Sequence, residues 1–513
     1  MNIIWLLPII ILIAGAVLIA LLGRFARKET VGWNLAYAVI ANVCLLVVLG
    51  LIIFFYSSVG SIPAEDLYLK LGDKSYVAGV YTIFRLDSLT WWFMLIFVLL
   101  GSVVAIFSIR YMDQDDRLDK YYLLLLFLVA GMIGVVMAGD LLTLFIFWET
   151  MSIASYILVS FRKDDPEPIE AGIKYLFMSA FGSVLLLFGM SLLYGVSGTL
   201  NIAEIGTILT ADITANGFSG VYVITIICLI LGFGVKAAIV PLHTWLPDAH
   251  PAAPSGISAM LSGVVIMTGM FGMTNTLTVF FSGSTGTEAI GSALLWISVI
   301  TMAVGNLLAL RQNDIKRLLA FSTVLNVGFI LFGLSMSLSG IDTDVAAVGI
   351  QGGYFHIFTH ALGKGLAFLC AGAILYRFHD RGLDRLKGIG KKMPLTIGAL
   401  TISLLSLAGV PPLPGFWSKF NMVVAAVGSG NWQYFVGVAL FLLSSVISVV
   451  YYLIVLQRLW FKEPGEHLED IKETPVEIVI PLMVLVLLMF VVGIFPGYFS
   501  NLASEAAKAL IGI

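Results

Sequence analysis

The sequence predicts an all-α polytopic membrane protein with about fourteen transmembrane helices. Three observations predict this class: an excess of apolar residues, apolar runs long enough to cross a bilayer, and basic residues concentrated in alternate connections between those runs. Of the 513 residues, 59% are apolar and 12% are charged, and the mean hydropathy is +1.02. A water-soluble domain carries about 45–50% apolar and 25% charged residues, so a soluble fold is excluded.

The spans are assigned from the apolar runs, since a helix needs about 20 residues to cross ~30 Å of hydrocarbon. The first run lacks a small-residue cleavage site and is interpreted as a retained span rather than a signal peptide. We place the spans at roughly 3–23, 31–57, 86–109, 121–138, 141–161, 169–195, 220–245, 254–281, 288–310, 316–338, 344–376, 394–428, 432–460 and 475–498.

Lysine and arginine set the expected orientation, because connections that face the cytoplasm carry an excess of both. Most of the 28 basic residues follow odd-numbered spans, whereas the outer segments contain Lys70, Lys74, Arg85 and Lys508. This asymmetry predicts a multi-pass protein of the cell membrane with both termini outside. Lys174, Lys236, Lys364 and Lys419 fall inside predicted spans, whereas Lys316, at the boundary of span ten, is counted with the connection before it.

Two spans contain proline in matching surroundings. Pro241 lies in span seven and Pro411 and Pro412 lie in span twelve, and each group precedes a tryptophan. Proline removes a backbone donor and clashes with the preceding turn, so both helices are expected to break there. The breaks are five spans apart, which predicts two inverted five-helix repeats, spans 4–8 and 9–13; ordinary proline kinks are the alternative.

The repeats imply four parts of the chain. We expect spans 1–3 in residues 1–120, the first repeat in 121–287, the inverted second repeat in 288–460, and span 14 in 461–513.

Several function classes are excluded or disfavoured by composition. The net charge of −3 provides no basic field for nucleic acid. Cys44, Cys228 and Cys370 are isolated in apolar runs, and an iron–sulfur cluster needs four thiolates. Phosphate-binding glycine motifs are absent from the sequence, so we expect no cofactor and no covalent or redox chemistry in this chain.

Titratable residues inside the spans are the candidate functional residues. Glu149 lies near the middle of span five and Lys236 precedes the break in span seven. A charged side chain at that depth costs roughly 2.5–3.5 kcal/mol on insertion scales unless it is paired or hydrated. A Glu149–Lys236 pair could load a proton when close and release it when separated. A neutral acid that joins two helices, and a lysine that extends to the interface, are the alternatives.

Span eleven places three more candidates on one helix face. His356, His360 and Lys364 are spaced by one turn each, so they stack along ~12 Å of helix. Imidazoles at this spacing can pass protons through intervening water. A zinc pair is the alternative, although no carboxylate or thiolate is nearby in sequence to complete a tetrahedral site.

The second half of span twelve adds Lys419, in the part of the second repeat that corresponds to the region of His243 in the first. Ser322, Thr323 and Asn326 on span ten are interpreted as polar contacts between helices rather than as members of the path. The sequence therefore predicts an ion path through Glu149, Lys236, His243, His356, His360, Lys364 and Lys419.

Four segments in this order resemble the antiporter-like subunits of respiratory complex I, Mrp cation/proton antiporters and membrane-bound hydrogenases. The segments are 235–250, 311–320, 356–364 and 415–419, and the resemblance covers about residues 85–460. It implies fourteen helices with inverted repeats and translocation of protons or sodium ions. It also implies that Glu149, Lys236, Lys364 and Lys419 are the family's glutamate and lysines of helices five, seven, eleven and twelve.

The resemblance further implies partners: other membrane subunits, including homologous antiporter-like ones, and a redox module with iron–sulfur clusters. Two positions depart from the family pattern, because Met267 stands where members often carry a lysine and Asn326 where they often carry a histidine. Three functions remain open: an ion-translocating subunit of a complex I-like assembly, an Mrp-type sodium/proton antiporter subunit without a redox partner, or a structural subunit that has lost translocation.

Overall fold

The chain folds into a bundle of long apolar helices. The computed structural model describes residues 3–25, 31–59, 68–71, 82–284 and 286–512, so the predicted position of Lys74 lies outside the described residues. Within these ranges, 13 helices are long and apolar enough to cross a membrane. The predicted span 394–428 is built from two 15-residue helices instead, which together complete the expected set of fourteen.

The helices of the first half are α1 (Leu7–Phe25), α2 (Val31–Val59), α3 (Ser88–Tyr111), α4 (Leu118–Met137), α5 (Leu141–Val159), α6 (Pro166–Ser197), α7 (Ile202–Asn216), α8 (Gly220–Ala237), α9 (Leu246–Ala252), α10 (Ser255–Met260) and α11 (Ile266–Phe281). The second half contains α12 (Thr287–Ala309), α13 (Ile315–Leu334), α14 (Thr343–Phe378), α15 (Pro394–Ala408), α16 (Pro414–Gly428), α17 (Trp432–Phe461), α18 (Val476–Ile494) and α19 (Pro496–Ile511).

Three elements were not expected from the apolar runs. α7 and α19 are shorter helices that follow a membrane span, and an antiparallel hairpin pairs β1 (Tyr68–Leu71) with β2 (Thr82–Arg85). Each of α7 and α19 buries only one face, so its apolar content is low. An assignment based on hydropathy therefore does not detect these two helices.

Short polar side chains begin many of the helices. An aspartate or asparagine directly before the helix accepts hydrogen bonds from free backbone N–H groups of the first turn, which is the usual N-cap arrangement. The residues in this role are Asp87, Asp140, Asn201, Asp314, Asp342 and Asn431.

The two proline-containing spans are broken as expected. α8 ends at Ala237, and a turn that contains Pro241 leads into α9, so the first half of this span is shorter than the predicted 220–245. α15 ends at Ala408, and a turn that contains Pro411 and Pro412 leads into α16. In both turns the residue after the first helix, Ala238 or Gly409, has a left-handed backbone that ends the helix.

The centre of the bundle is formed by helices that are buried on all sides. In each of the segments 255–281, 315–338 and 343–378, the 18-residue apolar stretch is 100% buried inside the protein. The corresponding stretches of α1, α2 and α6 are 39% buried. A helix in the centre contacts protein all round and can therefore carry polar groups that lipid would not accept. The candidate site residues of α14 and their partners on α13 lie in this central layer.

Ion pairs join several connections at one end of the bundle, which we call the basic end. They link Arg162 to Asp115 at 2.7 Å, Arg381 to Asp314 at 3.1 Å and Arg317 to Asp248 at 3.1 Å. Lys174, although it falls inside predicted span six, reaches this end, where it pairs with Asp248 at 3.0 Å. α8 approaches its break from the opposite end and α15 from the basic end, so the two broken spans run in opposite directions.

Candidate functional site

Lys236 lies in the last turn of α8, next to the first helix break. Its side chain is buried, and its ammonium donates hydrogen bonds to the hydroxyl groups of Tyr175, at 2.9 Å, and Ser179, at 3.5 Å. The ammonium also lies 4.8 Å from the ring centre of Tyr175 and 6.0 Å from that of Trp148. Hydroxyls and aromatic faces stabilise a cation here without neutralising it.

Glu149 lies on α5 in the same region but does not contact Lys236. The carboxylate is half-buried and accepts a hydrogen bond from the hydroxyl of Ser183 on α6. Its charge acts on Lys236 through space, and among the described residues no ion pair joins the two. The structure therefore places the predicted pair in one cluster, with the groups apart.

His243 lies in the turn after Pro241. It is 9% exposed, and its Nδ1 atom has no hydrogen-bond partner among the described residues. The nearby Trp245 stacks on Tyr175 at 4.0 Å and donates from its ring nitrogen to the carbonyl of Val235, which ties the turn to the Lys236 cluster. His243 thus lies beside that cluster with a free ring nitrogen.

His356, His360 and Lys364 lie on one face of α14, as the spacing predicts, and all three are buried. The ring centres of the two histidines are 6.4 Å apart. Nε2 of His360 lies 3.1 Å from the carbonyl oxygen of Ser262, in a π-helical turn between α10 and α11. Lys364 donates to the carbonyl of Leu319, at 2.8 Å, and to the hydroxyl of Ser322.

Ser322 joins Lys364 to hydrogen bonds that reach the second half of the broken span twelve: Lys364 contacts its hydroxyl, and the further bonds start at its backbone carbonyl. Asn326 donates from Nδ2 to the carbonyl of Ser322 at 2.7 Å, and its Oδ1 lies 3.1 Å from Nε2 of His356. Nδ1 of His356 lies 2.8 Å from the hydroxyl of Ser418 on α16. Ser322 and Asn326 were interpreted from the sequence as contacts between helices, yet they touch two of the predicted path residues.

Lys419 follows Ser418 on α16 and caps the preceding half-helix. Its ammonium donates to the carbonyls of Leu407, at 2.9 Å, and Ala408, at 3.2 Å, which are the last residues of α15. It also donates to the hydroxyl of Ser445 at 3.1 Å and lies 4.4 Å from the ring centre of Phe329. The negative end of the α15 dipole stabilises this buried charge.

The hydrogen-bonded contacts of the described residues do not link the Lys236 cluster to the His360–Lys364 group. Met267 of α11 is fully buried where the resemblance implies a lysine. Next to it, Thr268 contacts the sulfur of Met151 on α5 at 3.1 Å. Within the described residues, the hydrogen bonds of the two groups therefore remain separate.

A cavity of about 910 Å³ opens at the basic end. Arg162, Arg381 and Lys316 are among its lining residues. Burial lowers the pKa of Arg162, but hydrogen bonds with Asp115 outweigh this and hold the pKa above its ordinary value. Charged and hydrogen-bonding walls of this kind are suited to hold water.

Lys316 is a buried lysine that sequence reasoning placed among the surface residues. It is 1% exposed and donates to the carbonyl of Ala253, at 2.8 Å, and to the hydroxyl of Ser258, at 3.4 Å. The apolar run starts at this residue, so its position in the sequence suggested a loop. The buried ring of His250 lies within electrostatic reach of both Lys316 and Lys364, and neither ring nitrogen has a partner among the described residues.

His250 and Ser418 lie in two of the segments that resemble the family, 235–250 and 415–419, but were not predicted as path residues. Ser418 contacts His356, and His250 lies within electrostatic reach of Lys364. The three cysteines are free thiols within the described ranges. Those ranges also contain no cluster of three or more His, Cys, Asp or Glu side chains close enough to hold a metal ion.

The fold and the site define a polytopic membrane protein with a row of buried titratable side chains between two broken helices. We call this row the buried string; its members are Lys236, His356, His360, Lys364 and Lys419. A family model described as NADH:quinone oxidoreductase/Mrp antiporter, TM, matches residues 138–448, and one described as NADH-Ubiquinone oxidoreductase (complex I), chain 5 N-terminus, matches residues 79–122. The chain belongs to this family of membrane subunits, and the resemblance seen in the sequence is confirmed.

The similar relatives include subunits of several different assemblies. The chain is 34% identical to NADH-quinone oxidoreductase subunit N of Trichlorobacter lovleyi over 83% of this chain and 84% of that protein. It is 29% identical to F(420)H(2) dehydrogenase subunit N of Methanosarcina mazei over 99% of both chains. It is 36% identical to Hydrogenase-4 component B of Escherichia coli over 66% of this chain and 50% of that protein.

Solved structures share the whole fold. A chain of the membrane-bound sulfane sulfur reductase, an archaeal respiratory membrane complex, is 28% identical with a TM-score of 0.86, covering 99% of this chain and 97% of that one. A chain of the Mrp complex from Dietzia sp. has a TM-score of 0.83 at 24% identity, covering 100% of this chain and 98% of that one, which shows the fold alone.

Proposed function

We propose that this protein is an ion-translocating membrane subunit of a complex I-like redox assembly. The observation that carries the proposal is the set of buried lysines at mid-bundle and near the basic end. Lys236, Lys316, Lys364 and Lys419 are at most 6% exposed, and none of them is among the ion pairs of the described residues. Unpaired buried charges are costly and mark functional sites in membrane proteins.

The chemistry of the string favours protons over sodium ions. Sodium, like other hard cations, is bound by several oxygen ligands, whereas the string consists mainly of ammonium and imidazole groups that repel a cation. Imidazole, amine and hydroxyl groups each exchange protons with a neighbour or with water. The ion moved along this path is therefore proposed to be the proton.

The proposed route begins at the cavity of the basic end. Protons pass from its walls to Lys316, then through His250 to Lys364, and along His356 to Lys419. Glu149 and Lys236, with His243 beside them, form a second loading site in the first repeat. By the excess of basic residues, the basic end faces the cytoplasm and both termini lie outside.

The energy source is proposed to lie in other subunits. The relatives are named as subunits of a dehydrogenase, a quinone oxidoreductase and a hydrogenase, so we infer that this chain assembles with related antiporter-like subunits and with a redox module that contains iron–sulfur clusters. An Mrp-type antiporter without a redox partner is the second candidate, favoured by the shared fold.

Purification of the tagged full chain from its native membrane tests these assignments. We expect iron–sulfur subunits in the isolated assembly, and proton uptake or release when the assembly is reconstituted in vesicles and given its reductant. An assembly without redox subunits that exchanges sodium for protons supports the second candidate. An assembly with redox subunits whose turnover drives no ion movement through this chain contradicts translocation and leaves a structural subunit.

Entry of protons at the basic end depends on Lys316 in this account. Replacement by methionine keeps an unbranched apolar stem and removes the ammonium between the cavity and His250. We expect proton transport to fall about a hundredfold, the lower end of what a positioned proton-transfer group contributes. Transport by reconstituted vesicles measures the effect, with Lys120→Met at the exposed surface of the same end as the matched control. Equal transport by Lys316→Met and the wild type would show that Lys316 only caps the Ala253 carbonyl.

A further inference from the structure

The link between His356 and Lys364 contains a group that does not carry protons. Nδ2 of Asn326 must be the atom that faces the Ser322 carbonyl, because a carbonyl oxygen can only accept a hydrogen bond. Oδ1 of Asn326 then faces Nε2 of His356, so the neutral His356 ring carries its proton on Nε2. A side-chain amide does not exchange a proton with its partners in the way that imidazoles and hydroxyls do. A proton therefore cannot pass Asn326 through these hydrogen bonds alone.

Tyr452 of α17 lies beside this amide. Its ring is 1% exposed, and its hydroxyl faces the side chains of Ser322, Tyr451 and Asn326. The hydroxyl is buried and has no hydrogen-bond partner among the described residues. Buried polar groups are almost always hydrogen-bonded, so an unpaired one calls for a functional or structural reason.

We propose that the Tyr452 hydroxyl carries protons past the Asn326 amide, between His356 and the Ser322–Lys364 pair. The inference rests on the proposed function, because it names one relay within that path. It also accounts for the departure at position 326: where the resemblance implies a histidine that could itself relay a proton, this chain has an amide next to a phenol.

The relay conserves protons and electrons. His356 takes a proton at Nδ1 from the Ser418 side and releases the proton at Nε2 to the Tyr452 oxygen. The Tyr452 hydroxyl proton passes to the hydroxyl oxygen of Ser322. The original hydroxyl proton of Ser322 passes to the neutral amine of Lys364. Both hydroxyls are restored, and one positive charge has moved from His356 to Lys364. The reverse sequence moves the proton in the opposite direction.

The change Tyr452→Phe tests the relay, because it removes one hydroxyl and keeps the ring that packs on Tyr451 at 4.5 Å between centres. In the complete assembly reconstituted in vesicles, we expect proton transport to fall by about tenfold or more. Tyr434→Phe is the matched control, since it removes a buried hydroxyl of the same helix that contacts Ser335, away from the relay.

A rescue separates a relay from a packing role. Adding Asn326→His to Tyr452→Phe is expected to restore most of the transport, because an imidazole at 326 carries the proton without the phenol. Wild-type transport by Tyr452→Phe, or a loss that Asn326→His does not restore, would overturn the inference. Lys364→Met tells the two proposals apart: if it transports normally, the path through the second repeat is wrong, and if it is inactive while Tyr452→Phe is active, only the relay is wrong.

Discussion

Replacement of Lys236 by methionine is expected to abolish proton transport while the assembly still forms. The ammonium is the charged group at the first helix break, and its hydrogen-bond partners Tyr175 and Ser179 keep it buried with no carboxylate in contact. Methionine has a similar length and fills the same space, so the packing between α6 and α8 is retained. The group that loads and releases the proton is lost, which predicts a loss of about a hundredfold or more.

Transport by vesicles that contain the complete assembly measures this effect, and comigration of the subunits on a native gel checks assembly. Lys174→Met is the matched control, because Lys174 lies on a neighbouring helix but is half-exposed and pairs with Glu170 and Asp248. Glu149→Gln is expected to give the same loss, since glutamine keeps the contact with Ser183 and removes the charge that acts on Lys236. Normal transport in both Lys236→Met and Glu149→Gln would exclude the first repeat from the path.

Replacement of Lys364 by methionine is the second large effect that the structure predicts. Lys364 is fully buried at the junction where the route from the basic end meets the chain of Ser322, Asn326 and His356. A proton that moves along the route in either direction must pass through the amine of Lys364. Without it we expect transport to fall by about a hundredfold. The change also removes one donor to the Leu319 carbonyl, which keeps the hydroxyl groups of Ser322 and Thr323 as donors.

Because of this second effect, the thermal stability of the purified assembly must be measured beside transport. Lys387→Met, in an exposed ion pair of the basic end, is the control for loss of a lysine as such. A stable assembly without transport supports the relay. A stable assembly with normal transport would confine the path to the first repeat and leave Lys364 a structural role.

The sequence was sufficient to predict the membrane spans and the broken helices, because hydropathy and proline act locally. The bounds of α14 differ from the predicted 344–376 by one or two residues. The end of α8 was less predictable, since the left-handed Ala238 ends the helix before Pro241. The shorter helices α7 and α19 were missed, since they bury one face without being apolar throughout.

The candidate residues could be predicted one by one, but their contacts could not. His356, His360 and Lys364 share a face because helical spacing requires it. The separation of Glu149 from Lys236, and the place of Asn326 between His356 and Ser322, depend on how α5, α8, α13 and α14 pack. Lys316 was counted with surface residues, because the segment that covers it is distant in sequence. Its ammonium donates to the carbonyl of Ala253 in that segment.

The number of protons moved per turnover of the assembly tests the central claim most directly. The comparison is between the wild type and a variant in which Lys236, Lys364 and Lys419 are all methionine, at equal turnover of the attached redox subunits. If protons pass through the buried string, the variant moves fewer protons per turnover than the wild type by the full share of this subunit. An unchanged ratio in a correctly assembled variant would contradict translocation through this chain.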